Sequence, residues 1–524
     1  MRTKKSLTNM ITATAAQILI VLLGLVSRRV FIQTLSIEYL GCNGVFSNVL
    51  EILTLVGCGA SAVSYLMIKA MATEEKSLIQ KTFSLVHFYQ WCTCGLLVLL
   101  GCVVSLFLPA LLMNTTSFSW SFLQGVYLLF LVDLCLSMWS GLGGTPGFYD
   151  CIIKASQRQA VCALIECCTK VIIVILQILA LYYTHNYFLY LILGITTKFI
   201  YIIVTRRYCY RSFPYLKEKV RVPKEFIKET KLFAEIRSNL AITISTVIFL
   251  GTDNLVITGF LGITITGLYS NYALFYNQLQ GLVNKFLSGM SASVGNYVQQ
   301  IKDSGQKHAM FYRIQTVCGV IALFCTVCFW TLCDPMIELC FGSGLQLSRT
   351  VLAVQSILLF FAIYSQAGSM FRHAVGQYWL DRNYNIAAAA TNLGLSLLLV
   401  KYIGLPGVLL GTLVGMIIQI AGYLKVICLQ AVPEAKKASW WLYTAFWLLA
   451  TLIGMGVTML LTQRLPHNWG YTIASGCVAV VVVAVCGGAL FASNKHVRET
   501  FRYGVQLVRD FRRQKKLEKK GELQ

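Results

Sequence analysis

Apolar runs long enough to cross a bilayer recur along nearly the whole chain, separated by short polar or charged joints. A spanning helix needs about 20 mostly apolar residues, because hydrocarbon offers backbone N–H and C=O groups no partners and a helix satisfies them internally. Fourteen such runs stand near 10–34, 41–68, 83–112, 120–141, 160–183, 187–205, 238–260, 267–293, 310–332, 349–371, 385–402, 407–428, 439–462 and 470–492. The pattern predicts an all-α polytopic membrane protein. The first run follows Met1-Arg-Thr-Lys-Lys, which looks like the start of a signal peptide. Its apolar part is too long for a signal h-region and another run follows at once, so it is read as a retained helix.

The joints organise these runs. The longest, 206–237, carries Arg206, Arg207, Arg211, Lys217, Lys219, Arg221, Lys224, Lys228, Lys231 and Arg237. It also sets Phe226, Ile227 and Phe233 at helix-like spacing behind Pro223, which predicts a basic amphipathic helix lying on the inner leaflet. Six runs precede it and six follow. The expected organisation is an N-lobe of six spans over 1–205, this linker over 206–237, and a C-lobe of six spans over 238–430. Two further spans over 431–492 and a basic tail over 493–524 complete it. The two lobes carry a trace of repetition. Residues 26–41 (VSRRVFIQTLSIEYLG) and 252–267 (TDNLVITGFLGITITG) match at Val30/Val256, Leu35/Leu261, Ile37/Ile263 and Gly41/Gly267, each at the corner between a lobe's first two spans. An even number of spans per lobe makes the repeat parallel, about an axis along the membrane normal. Transporters built this way hold substrate between the halves.

Composition sharpens the class. Charged residues are 12% of the chain and hydrophobic ones 57%, against roughly 25% charged in soluble proteins. A net charge of +23 could suggest nucleic acid, but its placement points to a membrane. With an inside N-terminus, only Arg349, Lys401 and Arg464 fall outside and only Arg28, Arg29, Lys170, Lys198 and Lys285 fall at depth. That asymmetry is the positive-inside pattern and predicts two cytoplasmic termini. The basic clusters 206–237 and 495–519 are juxtamembrane and suit anionic phospholipid headgroups at about 1 kcal/mol per charge; no nucleic-acid partner is expected. The 19 cysteines sit mostly in apolar runs, where a thiol behaves as a small hydrophobe. Cys325 and Cys328 form a lone C-x-x-C without nearby histidines, so no metal is expected. No G-x-x-x-x-G-K-[ST] occurs, so neither ATP nor another cofactor is expected.

Ionisable side chains inside the membrane cost at least about 2.5 kcal/mol each on insertion scales, and therefore line cavities or pair with one another. Arg28 shares a helical face with Thr14, Gln17 and Gly24, whereas Arg29 follows Ile18, Leu22 and Leu25 and is expected to snorkel. Lys285 aligns with Asn271, Gln278, Gly281 and Gly289, a stripe that faces either a cavity or a tight helix seam. Lys198 lies about two turns from a span end. These four cations form the candidate substrate-binding set, with Arg28 first. Asp253, Glu51 and Asp133 are the candidate coupling or ion-pair residues. For Glu51, on a face with Asn43, Gly44, Ser47, Asn48 and Thr54, neutralising Arg28 is preferred over ion coupling. For Asp253 the alternatives are a salt bridge and coupling to H+ or Na+. Glu166 and Lys170, four apart, are expected to satisfy each other. A cationic cavity calls for an anionic cargo, whose phosphate would otherwise cross hydrocarbon at a cost of many kcal/mol.

Three segments carry a family resemblance. They are SRRVFIQTLSIEYLGCNGVFSN (27–48), TDNLVITGFLGITITGLYSNY (252–272) and, most specific, NLGLSLLLVKYIGLPGVLLGT (392–412). Over about 1–430 the chain resembles the Wzx-type oligosaccharide flippases of polysaccharide biosynthesis, in the superfamily that includes multidrug exporters and the peptidoglycan-precursor flippase. The resemblance implies an undecaprenyl-diphosphate-linked glycan moved from the cytoplasmic to the outer leaflet of a bacterial inner membrane by alternating access. It also implies a cationic central cavity, to which Arg28 and Asp253 carry over at motif positions. Glycan polymerase machinery is a candidate partner. The alternative is a cation-coupled multidrug exporter of the same fold, which would want acidic residues to dominate the cavity. An enzyme would want a sizeable outside loop bearing acids, Arg or His, and no outside loop here exceeds about 17 residues.

Overall fold

A computed structural model describes residues 22–218 and 251–502 apart from 74, 113–117, 143–146, 157, 301–302, 376–379, 432–436, 463–468 and 495, with isolated positions such as Phe226 and Phe249 between. The side chains of some helical residues, Glu51 and Lys285 among them, also lie outside this description, as does most of the expected amphipathic linker helix. The described chain is helical and contains no strand. Its helices are α1 (22–34), α2 (Ile37–Leu53), α3 (Ala60–Thr73), α4 (Lys76–Leu112), α5 (Trp120–Ser140), α6 (Phe148–Ala155), α7 (Gln159–Thr184) and α8 (Tyr187–Ser212). Then follow α9 (Asp253–Leu261), α10 (Ile263–Gln300), α11 (Ser304–Phe341), α12 (Arg349–Tyr364), α13 (Gln366–Val375), α14 (Arg382–Ile403), α15 (Leu405–Val426), α16 (Lys437–Thr462) and α17 (Trp469–Ser493).

Ten stretches of described helix are long and apolar enough to cross a membrane. The protein is a multi-pass membrane protein. Three expected runs depart from a single simple span. The run at 41–68 is α2, a 3-10 turn at Thr54–Gly57, and α3. Gly57 closes that turn and Gly59 follows it before α3, each about 1 kcal/mol worse than Ala in a helix interior. The run at 349–371 divides between α12 and α13 at Ser365. The run at 187–205 continues as α8 through Ser212, so Arg206, Arg207 and Arg211 extend a spanning helix instead of opening the linker. Hydropathy marks where lipid stops, whereas backbone hydrogen bonds decide where the helix stops.

The chain forms two compact units. One comprises Met1–Leu274, Cys340–Leu347 and Asn385–Gly415, the other Phe275–Leu339, Ser348–Tyr384 and Met416–Gln524. In the first, α2 packs on α9 and the start of α10 through a reciprocal approach. A Cβ on Gly41 would collide with the carbonyl oxygen of Ile263, and a Cβ on Gly267 would collide with that of Ile37. These four residues are two of the matched pairs of the repeat, so each corner uses its glycine to admit the other's backbone. Phe31, Leu40, Phe46, Tyr127 and Tyr187 build the adjoining core. A second cluster forms where α6 folds under the bundle, and Phe226 packs half-buried against it. There Asp150 is buried, accepts from Tyr201 Oη at 3.0 Å and pairs with Lys154 at 2.6 Å.

In the second unit, α16 docks on α11. The indole of Trp447 lies where a Cβ on Gly319 would project, Thr316 Oγ1 and Tyr443 Oη are 2.8 Å apart, and Trp330 donates to the Met455 carbonyl at 3.0 Å. The joint between α13 and α14 is clasped by a buried, two-pronged Arg372–Asp381 ion pair, with the Tyr423 ring 5.2 Å from the guanidinium carbon.

Candidate functional site: intramembrane charges of the first unit

Arg28 lies on α1 opposite α10. Its Nε and Nη2 donate to Asn271 Oδ1 at 3.1 and 2.9 Å, and Nη2 also donates to Ser270 Oγ at 2.5 Å. Both partners are neutral, and Asn271 belongs to the polar stripe expected to run toward Lys285. The guanidinium is therefore oriented without being neutralised by these bonds, and no carboxylate forms an ion pair with it among the described residues. Glu51, the sequence-expected counter-ion, has its side chain outside the described residues. So does Lys285, which lies on α10. Arg29 is exposed, in keeping with its apolar helical face.

Asp253 opens α9, in the first turn where the helix dipole favours a negative charge. No salt bridge holds it among the described residues. Thr412 Oγ1 donates to Asp253 Oδ2 at 3.0 Å, and Asp253 Oδ1 is buried without a hydrogen-bond partner among the described residues. Around this carboxylate the polar groups of α14 and α15 form one connected cluster. Thr412 Oγ1 lies 3.2 Å from both Asn392 Oδ1 and the Val408 carbonyl; Ser396 Oγ lies 3.2 and 3.1 Å from the same two atoms. Asn392 Nδ2 is tied to the Phe249 carbonyl at 3.0 Å. α15 comes this close to α14 because Gly411 and Gly415 carry no Cβ, which would strike Ser396 and Asn392 at the first and Phe249 and Ala388 at the second. The result is a carboxylate ringed by neutral oxygens at membrane depth. That donor set suits a hard monovalent cation or a proton.

The third charged group is one that sequence reasoning left apart. Lys198 on α8 does not simply snorkel: its ammonium is paired with Asp133 on α5. Asp133 and Lys198 lie thirteen and eleven positions into neighbouring helices that start on the same side, about 20 and about 16 Å along at 1.5 Å per residue. Matching depth was the available signal. The pair lines a cavity of about 250 Å³ with Asn43, Gln177 and Tyr190. Glu166 and Lys170 also pair, at 2.6 Å, as their spacing requires. Asn392, Ser396 and Thr412 were missed as site residues, although each lies in the 392–412 motif. The signal was one i, i+4 polar pair on an otherwise apolar span, Asn392/Ser396; Thr412, a single hydroxyl among apolar residues, carried none.

This arrangement can be set beside known folds. No family model matches the chain, and no curated protein matches it by sequence. Among solved structures, that described as "Lipid II flippase MurJ, inward closed conformation" superposes with a TM-score of 0.64 at 14% identity, covering 92% of this chain and 99% of that one. The chain shares the fold of that flippase structure. An inward-facing multidrug resistance MATE family transporter of the MOP superfamily matches with a TM-score of 0.54 at 16% identity, covering 79% of this chain and 96% of that one. A mutant form of the Vibrio cholerae MATE transporter VcmN gives 0.53 at 14% identity, with coverage of 82% and 98%. The flippase fold thus spans nearly the whole length of the chain, and the transporter folds about four fifths of it. At these identities the likeness concerns architecture alone. The side-chain chemistry has to be read from this chain's own residues.

Proposed function

We propose that this protein flips an undecaprenyl-diphosphate-linked oligosaccharide from the cytoplasmic to the outer leaflet of a bacterial inner membrane by alternating access, for surface polysaccharide biosynthesis. The observation that carries the reading is Arg28, a permanent cation at membrane depth whose hydrogen bonds go to the neutral side chains of Ser270 and Asn271. A guanidinium kept in that state at such cost favours a phosphate-bearing cargo, since it replaces the water that a diphosphate loses. Lys285, on the polar stripe that starts at Asn271, is the further cation of the same path, and Arg29 on the apolar face meets headgroups instead. The Asp253 cluster is its coupling site, taking H+ or Na+. The basic segments 206–237 and 495–519 hold the protein against anionic headgroups, and glycan polymerase machinery is the expected neighbour downstream.

The test is reconstitution into vesicles with a fluorescent undecaprenyl-diphosphate-linked sugar. Arg28→Ala is expected to lower the flipping rate by at least about tenfold, and Arg28→Lys to recover only part of it, because an ammonium cannot engage phosphate bidentately. Unchanged flipping in Arg28→Ala at equal protein abundance would remove the reading. Efflux of a cationic dye by the same vesicles, with no lipid movement, would replace it with the multidrug exporter.

A further inference from the structure

The cavity beside the Asp133–Lys198 pair has chemistry that neither a phosphate nor a free cation explains. One carboxylate and one ammonium from neighbouring helices face each other, so the pair brings no net charge to the site. The remaining polar walls come from three helices and keep unused capacity. Gln177 donates to the Tyr190 carbonyl at 2.9 Å through Nε2, which leaves Oε1 as an acceptor. Asn43 accepts from the Tyr187 hydroxyl through Oδ1, which leaves Nδ2 as a donor. Lys198 has N–H donors beyond the one it gives to Asp133, and Asp133 has lone pairs beyond the one it gives to Lys198. Both side chains are partly accessible, at 22% and 30%. A structural ion pair in a dry bundle would close on itself, whereas this one opens onto about 250 Å³ of space.

We infer that this cavity is a carbohydrate subsite, which takes one uncharged sugar ring by its hydroxyl groups. Each sugar hydroxyl both donates and accepts, and the wall supplies both kinds of partner in balance. The ring's C–H faces can rest on Phe130, Leu191 and Tyr190, which belong to the same wall. The volume lies below the roughly 300–1,000 Å³ of drug-sized pockets, so it suits a single ring and not an oligosaccharide. Position supports this assignment. The Tyr190 ring, part of the cavity wall, packs edge-on against Phe31 at 5.2 Å between ring centroids, three residues along α1 from Arg28. On the flippase reading, on which this inference rests, a diphosphate at Arg28 brings the first sugar to that neighbourhood.

Binding to the purified full-length protein in nanodiscs tests it with two kinds of probe. One is undecaprenyl diphosphate, the other the same lipid carrying a single glucose, galactose or N-acetylglucosamine. Wild type is expected to bind at least one glycosylated lipid about tenfold more tightly than the bare one. Gln177→Leu and Asn43→Leu should abolish that gap while leaving affinity for the bare lipid unchanged, which also certifies their folding. Arg28→Ala should weaken both lipids together. Bare-lipid binding with no gap in wild type, or a gap that survives both cavity variants, overturns the subsite and leaves the flippase reading intact. Absence of binding to any of these lipids overturns both.

Discussion

Asp253 is the residue whose surroundings say most about how transport could be driven. Among the described residues its Oδ2 has one hydroxyl donor and its Oδ1 has none, while Thr412 and Ser396 both reach Asn392 Oδ1 and the Val408 carbonyl. Thr412→Val removes the donor and leaves a buried acceptor unmatched, at about 1–3 kcal/mol. In vesicles, flipping is expected to rise under an imposed H+ or Na+ gradient. Asp253→Asn and Thr412→Val should both erase that stimulation, and a stimulation that persists in Asp253→Asn would exclude the cluster as the coupling site. A second expectation concerns Lys198. Asp133→Leu strands an ammonium at depth and should lower protein abundance, whereas Asp133→Leu with Lys198→Met should restore it, because removing both charges removes the desolvation problem. Equal abundance in the single and double variants would mean that the pair carries no stability. At this scale the sequence exposed the charges and the local Glu166–Lys170 pair, but not the pairing of Asp133 with Lys198 across helices. Arg28 and Asp253 could be picked out by depth and motif. That Arg28 leans on Ser270 and Asn271, 242 and 243 residues away, depends on which helices meet.

Helices were legible almost throughout, since hydrocarbon tolerates so few alternatives to them, and the ten qualifying stretches fall on expected runs. What hydropathy could not supply was continuity. The break between α2 and α3 lies in an apolar run, and its cause is local backbone cost at Gly57 and Gly59. The glycines of α15 have the opposite role and hold one helix hard against another. Gly411→Ala should lower the melting temperature of the detergent-solubilised protein, at a cost of about 1–3 kcal/mol, because the added methyl meets Ser396 and the Asn392 carbonyl. Gly394→Ala, on α14 with nothing within 4 Å, is the matched control and should be neutral or slightly stabilising. Equal melting of the two variants would mean that α14 and α15 are not packed at this face.

For the molecule as a whole, charge placement and span count gave the class, and the internal match between 26–41 and 252–267 gave a hint of symmetry too faint to stand alone. Only the folded chain turns that hint into geometry, since sequence identity at Gly41/Gly267 does not say that each glycine receives the other corner's backbone. The reciprocal crossing has an evolutionary and practical corollary. A contact that reads the same from either side is one that two copies of a single ancestral half could have formed as a homodimer, before fusion into one gene. The covalent link is then a convenience for assembly and not a structural necessity. Two polypeptides, 1–219 and 220–524, co-expressed in one membrane should find each other and co-purify, and bulk introduced as Gly41→Leu should prevent their capture. Halves that never associate would mean that the mutual fit at this corner is too weak to act as a recognition surface.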